Sequence, residues 1–150
     1  MVIYSENPKA NFDYEILDKY EAGIRLSGPE VKSIKTNGMS LKSGYVKILN
    51  NGEIYLINAH IPRYKPAFSA QIDYDPEKTR QLLLHKKEIN KLFSKVKERG
   101  LTIVPLKVYL KNKFIKVEIG LAKGKKLYDK RESIKKREMD RSMRREIRGK

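Results

Sequence analysis

His60 and His85 are the first residues to question for chemistry, because imidazole changes charge near neutral pH and is the commonest general base. Their surroundings argue against that use. A strand-loop-helix stretch separates them, no His-x-x-x-His pair exists, and no G-x-S-x-G elbow presents a nucleophile. Gly120-Leu121-Ala122-Lys123-Gly124-Lys125-Lys126 has the glycines and lysines of a phosphate-cradling loop but not their spacing, and no Ser or Thr follows the lysine. The carboxylates form no close metal-ligand cluster. Cysteine is absent, which excludes disulfides and thiolate metal sites. A lone His near a strand end is more often a hydrogen-bonded structural residue than a catalyst. The residue types therefore point away from an enzyme, and they ask for no cofactor, metal or small-molecule substrate.

Charge is the informative property. The 34 Lys and Arg outnumber the 18 Asp and Glu, for a formal net charge of +16. A protein this basic attracts polyanions, with nucleic acid the commonest and an anionic membrane surface second. Half of the net charge sits in residues 123–150, which divides the chain into a body, 1–122, and a basic tail. The longest apolar runs, such as Ile54–Ile57, are too short to span a membrane, and Met1–Ala10 contains no apolar signal-peptide core. The expected location is the cytoplasm. The 9 tyrosines lie among many cations. Tyrosine stacks on exposed bases, although a Tyr on a strand usually packs with only its hydroxyl near water. One or two of them are expected to reach RNA.

The elements that position these residues are mostly strands. Phe12, Tyr14 and Ile16 alternate with polar neighbours, and Ala22, Ile24 and Leu26 do so again, so two strands are expected. Ser27-Gly28-Pro29-Glu30 combines a cap, an early proline and a first-turn acid, which predicts a helix from Pro29 to Asn37, stopped by Gly38. Asn50-Asn51-Gly52 predicts a hairpin turn between Tyr45–Leu49 and Glu53–Ile57. Asp75-Pro76-Glu77 reads as a helix start, with a break near His85 and helical spacing of Ile89, Leu92, Phe93 and Val96 up to Gly100. Leu101–Leu110 and Phe114–Ala122 are the longest strands. Along the second, Ile115, Val117, Ile119 and Leu121 share one face and Lys116 the other. Six or seven short antiparallel strands with two or three helices predict a small closed barrel, most naturally of OB type, a pattern that other small barrels share.

The tail begins where Gly120 and Gly124 loosen the chain. Asp129 and Glu132 have capping-box spacing, and Glu132–Lys136 and Asp140–Arg144 are favourable i,i+4 pairs. Only Ile134, Met139, Met143 and Ile147 are apolar, too thin a stripe to grip the body or a membrane. A tail disordered alone and helical against RNA is expected.

Three blocks carry a resemblance. Glu21-Ala22-Gly23-Ile24-Arg25-Leu26-Ser27-Gly28-Pro29-Glu30-Val31-Lys32-Ser33, Thr79-Arg80-Gln81-Leu82-Leu83-Leu84-His85, and the run from Lys116 to Arg131 resemble, in order and spacing, the signature of the SmpB family. Gln81 stands where that family usually has a basic residue, and Pro8 interrupts its N-terminal NxxA block. The resemblance implies an OB-like barrel that grips the tRNA-like domain of transfer-messenger RNA. It implies RNA contacts at Glu21, Leu83, His85 and Lys116, helped by Asn7, Lys9, Lys32 and Lys35. It also implies that Gly124, Lys125, Lys126, Tyr128, Asp129, Lys130 and Arg131 enter the decoding centre and empty mRNA channel of a stalled ribosome. A generic ribosomal or OB-type RNA binder and a small nuclease are the rival readings.

Overall fold

The Glu30 N–H donates to the Ser27 hydroxyl while the Ser27 N–H donates to the Glu30 carboxylate, and this reciprocal capping box starts a helix that Gly38 ends. Gly38 is required there. Its φ is +72°, and a Cβ would lie 2.8 Å from the Tyr4 carbonyl oxygen. In the computed structural model, which describes residues 2–64 and 73–124, this helix is α2 (Gly28–Asn37). The other helices are α1 (Pro8–Asp13) and α3 (Lys86–Arg99). The strands are β1 (Val2–Glu6), β2 (Tyr14–Ile24), β3 (Tyr45–Ile48), β4 (Ile54–Ile57), β5 (Arg80–Leu83), β6 (Thr102–Lys111) and β7 (Phe114–Gly124).

All strand pairings among the described residues are antiparallel. They run β6–β3–β4–β5–β2–β7, and β7 pairs again with β6, so six strands form a ring and β1 lies against β6 outside it. The main core joins Ile54, Leu56, Leu82, Val117 and Ile119 of the strands to Ile34 of α2 and Leu92 of α3, all fully buried. A second, smaller core of Ala10, Val104, Leu106 and Ala122, with Tyr14 and Ile16 packed against it, includes α1 and lies apart from the first.

Two irregularities create that second core. The registers of β2 and β6 shift between Ile16 and Asp18 and between Pro105 and Lys107. One extra residue switches which face the following side chains occupy. The same irregularity explains a difference from the sequence reading. Two strands were expected between Phe12 and Leu26, but β2 is one continuous strand of 11 residues, and Phe12 belongs to α1. The shift at Leu17 breaks the alternation without ending the strand.

A second difference concerns Asp75-Pro76-Glu77. It forms a turn, with the Asp75 carboxylate accepting from the Glu77 N–H, and no helix follows. Arg80–Leu83 is a strand because it fills the gap between β4 and β2, with Arg80 and Leu82 facing in. The helix begins only after His85. β1 and the first four residues of α1 had no reading from sequence, and the last two, Phe12 and Asp13, were read as strand. Gly120 also differs from expectation. It is a close-packing position within β7, where a Cβ would meet Leu106 Cδ1 at 2.9 Å and Ile16 Cγ2 at 3.1 Å.

Candidate nucleic-acid interface

Period two along four strands brings distant residues together. Leu83 of β5 pairs with Gly23 of β2, Gly23 pairs with Lys116 of β7, and Lys116 pairs with Tyr109 of β6. Four strands thus place Leu83, Gly23, Lys116 and Tyr109 in one row. Their neighbours in sequence, Leu82, Ala22 and Val117, are buried, which turns Leu83, Gly23 and Lys116 to the outer face, while Tyr109 at the end of the row is itself covered, at 4% exposed. Gly23 keeps the centre low. A Cβ there would meet Leu83 Cβ at 3.3 Å. Leu83 is 47% exposed, a large apolar side chain left in water.

Glu21 lies two residues from Gly23 along β2, on the same face. Its carboxylate accepts from the Tyr109 hydroxyl at 2.5 Å and from Lys111 Nζ at 3.2 Å. The Tyr109 hydroxyl holds the Glu21 carboxyl below the usual carboxylate range; partial burial opposes this, and Lys111 and Lys116 assist. Burial and the Glu21 hydrogen bond push the Tyr109 phenol up in turn. Glu21 is therefore an ionised acceptor in a cationic setting. A groove of about 520 Å³ beside it is lined by Lys107, Leu110, Lys111 and Glu118 as well as this pair. Lys116 Nζ stands 5.9 Å from the ring centroid of Phe114, which is 67% exposed.

His85 caps α3 two residues beyond Leu83, and its backbone N–H donates to Glu88 at 3.4 Å. Its ring is exposed. The four main expected contacts therefore share one region: Glu21, Leu83 and Lys116 by register, His85 by adjacency. The expected helpers divide. Lys32 and Lys35 stand exposed on α2, Lys32 with its Nζ 6.0 Å from the Tyr64 ring. Lys9 is exposed on α1. Asn7 is different: it is 8% exposed, and its side-chain amide donates to the Pro105 carbonyl at 2.8 Å. That bond commits its amide to tying α1 to β6. Gly124 ends β7, while Lys125, Lys126, Tyr128, Asp129, Lys130 and Arg131 lie outside the described residues.

Tyr109, Lys111 and Phe114 had no individual role in the sequence reading. The signal for them was the alternation of β6 and β7 read across strands. Arg80 and Glu30 were also missed as partners. Arg80 Nε lies 2.6 Å from the Glu30 carboxylate, with both side chains 1% exposed. The remaining guanidinium donors reach the carbonyls of Ala59, Lys78 and Pro76 and the Tyr74 hydroxyl. This buried fork joins the start of α2 to the segment that leads into β5, and so fixes Leu83 and His85 from inside. His60, the other histidine, faces Glu77 at 3.5 Å and pairs through its backbone with Ser40, a structural setting. No group of His, Asp and Glu among the described residues could hold a metal ion.

A ring of antiparallel strands with a row of exposed apolar and cationic side chains, flanked by an ionised acceptor, defines a small basic β-domain of the nucleic-acid-binding kind. The SmpB protein family model matches residues 4–149. The chain is 53% identical to an SsrA-binding protein of Gloeothece citriformis over 143 residues, 95% of this chain and 91% of that one. It is 52% identical to an SsrA-binding protein of Thermosipho melanesiensis over 150 residues, 99% of this chain and all of that one. A solved structure described as "tmRNA-SmpB: a journey to the center of the bacterial ribosome" matches with a TM-score of 0.68 and 43% identity, covering 87% of this chain and 93% of that one. The chain belongs to the SmpB family.

Proposed function

We propose that this protein binds transfer-messenger RNA through its tRNA-like domain and delivers it to stalled ribosomes in trans-translation. The row of Leu83, Gly23 and Lys116, with Glu21 beside it, carries this reading, because it gathers the expected contacts from three strands into one outward surface. Leu83 offers an apolar contact, Lys116 a phosphate partner, and Glu21 an acceptor for base-amino or ribose hydroxyl donors. His85 adds a ring next to Leu83. Lys9, Lys32 and Lys35 supply diffuse attraction, and Asn7 acts by positioning α1. The ring of six strands is read as a closed barrel of OB type, a scaffold whose outer face suits nucleic acid.

The basic tail reaches the decoding centre and the empty mRNA channel, through Gly124, Lys125, Lys126, Tyr128, Asp129, Lys130 and Arg131. It folds to a helix on that anionic surface. Protein and RNA together imitate an aminoacyl-tRNA, the protein filling the place of an anticodon stem. The protein is a binding partner, not an enzyme, and works in the cytoplasm without a cofactor. Purification of the native protein and sequencing of the RNA bound to it tests the proposal. One abundant transfer-messenger species is expected. Bulk ribosomal RNA without that species, or RNA cleavage by the purified protein, would overturn it.

A further inference from the structure

The outer face of the ring does not stop at Leu83. One step back along β5, the register makes a second row. Lys47 of β3 pairs with Tyr55 of β4, and Tyr55 pairs with Gln81 of β5. The Arg25 N–H donates to the Gln81 carbonyl at 2.9 Å, so Arg25 stands at the far end. Val46, Ile54, Leu56 and Leu82 are buried, which turns Lys47, Tyr55 and Gln81 outward. Tyr45, next to this row on β3 and paired with Ile57, is 44% exposed. Across the strands the row thus runs cation, aromatic ring, neutral amide, cation, with the Tyr45 ring beside Lys47 at one end. No carboxylate among the described residues lies within ion-pair distance of Lys47 or Arg25. The Tyr55 hydroxyl donates to Glu53, which pins the ring by its edge. Nothing in the fold requires this chemistry, since the core is complete beneath it.

We propose that Tyr45, Lys47, Tyr55, Gln81 and Arg25 form a second RNA subsite that takes an unpaired segment. Bases stack on Tyr55 and Tyr45, Lys47 and Arg25 hold phosphates on either side, and the Gln81 amide reads a base edge or ribose. This deepens the reading of the protein as an RNA binder and rests on it. Residues 81 and 83 of β5 are about 7 Å apart along the strand, so the two rows adjoin and one RNA can occupy both.

The test uses the full chain and an oligouridylate of about ten nucleotides, within the span one such domain covers, read by fluorescence anisotropy. Tyr55→Ala is expected to weaken binding by roughly 5- to 150-fold, the worth of one base stacked on an aromatic ring. Tyr55→Phe keeps the ring and is expected to bind within about twofold of wild type on the same stacking argument. Lys47→Ala weakens binding and reduces its salt dependence by about one phosphate contact. The subsite is overturned if the oligouridylate does not bind, if Tyr55→Ala with an unaltered melting curve binds like wild type, or if Tyr55→Phe loses as much as Tyr55→Ala. Failure to bind the tRNA-like domain itself is a separate result and would sink the parent proposal instead.

Discussion

Glu30 and Arg80 are 50 residues apart in sequence and 2.6 Å apart in the fold, and both are inaccessible to water. A carboxylate and a guanidinium in this position stabilise only as a satisfied pair. Removing one leaves the other charged and buried. Arg80→Met is therefore expected to destabilise the protein by about 3–5 kcal/mol, read from urea unfolding midpoints. Replacing both residues with apolar ones of similar volume should recover much of that loss. If Arg80→Met unfolds at the wild-type midpoint, the pair is not holding β5.

Acid should act on the same pair. Burial alone would raise the Glu30 pKa, but the Ser27 N–H, the Arg80 guanidinium and Lys78 outweigh it and hold the carboxyl below its ordinary value of 4.5. A carboxylate lowered in the folded state contributes stability that is complete above the unfolded value and disappears as pH falls through the folded one. Glu21 and Asp18 are shifted in the same direction. Thermal stability should thus be flat from neutral pH down to roughly 5 and fall steadily below that. Glu30→Gln should make that fall shallower. A melting temperature that rises on acidification below pH 4.5 would contradict this assignment.

How much of this was legible depends on the regularity of each strand. Phe114–Glu118 alternates, so inward Ile115 and Val117 and outward Lys116 could be read directly; from Ile119 to Ala122 every residue is buried, and the outward reading of Gly120 fails because that face packs on Leu106 and Ile16. β2 has the same chemistry but carries a register shift at Leu17, and it read as two strands. Arg80 and Glu30 are types that usually face water, so no local pattern marks them as a buried pair. Gln81 and Tyr55 mean little singly. Only the order β4–β5–β2 sets them beside Arg25. The family blocks carried what periodicity could not, the grouping of Glu21, Leu83, His85 and Lys116 before any register was known.

Gly23 and Gly120 separate stability from recognition. A side chain at Gly120 has nowhere to go between Leu106 and Ile16. Gly120→Val should cost about 1–3 kcal/mol of stability through overpacking. At Gly23 the contact is looser, 3.3 Å to Leu83 Cβ, and a shift of β5 by a few tenths of an ångström relieves it. Gly23→Val should change the melting temperature little but move Leu83, and so weaken binding of the tRNA-like domain. Equal destabilisation by both variants would show that the row around Gly23 is an ordinary packed surface.

Glu21→Gln tests the acceptor role. The amide oxygen still accepts from Tyr109, while the charge facing Lys111 is removed. Folding should be preserved, and affinity for the tRNA-like domain should fall by about 1–3 kcal/mol, the range for one good polar contact to a base edge. Wild-type affinity in a protein with a normal circular dichroism spectrum would leave Glu21 as a residue that only orients Lys111.

The last prediction separates the ring from the tail. β7 continues past Ala122, with Lys123 paired to Glu15 and Gly124 to Tyr14. Cutting after Ala122 would remove two paired residues from β7, whereas cutting after Gly124 leaves every described strand whole. The protein truncated after Gly124 should therefore fold, stay soluble and bind the tRNA-like domain, yet fail to support tagging at stalled ribosomes. Bulk charge and position can be separated. Replacing Asp129, Lys130 and Arg131 together by alanine removes one acid and two bases from a chain of net charge +16, a small change in total attraction. If position matters, the triple variant loses tagging as deeply as the truncation while binding the RNA normally. If it tags normally, the tail acts as undifferentiated charge. If the truncated protein no longer binds the RNA, the tail belongs to the RNA site, and the division of labour proposed for this chain is wrong.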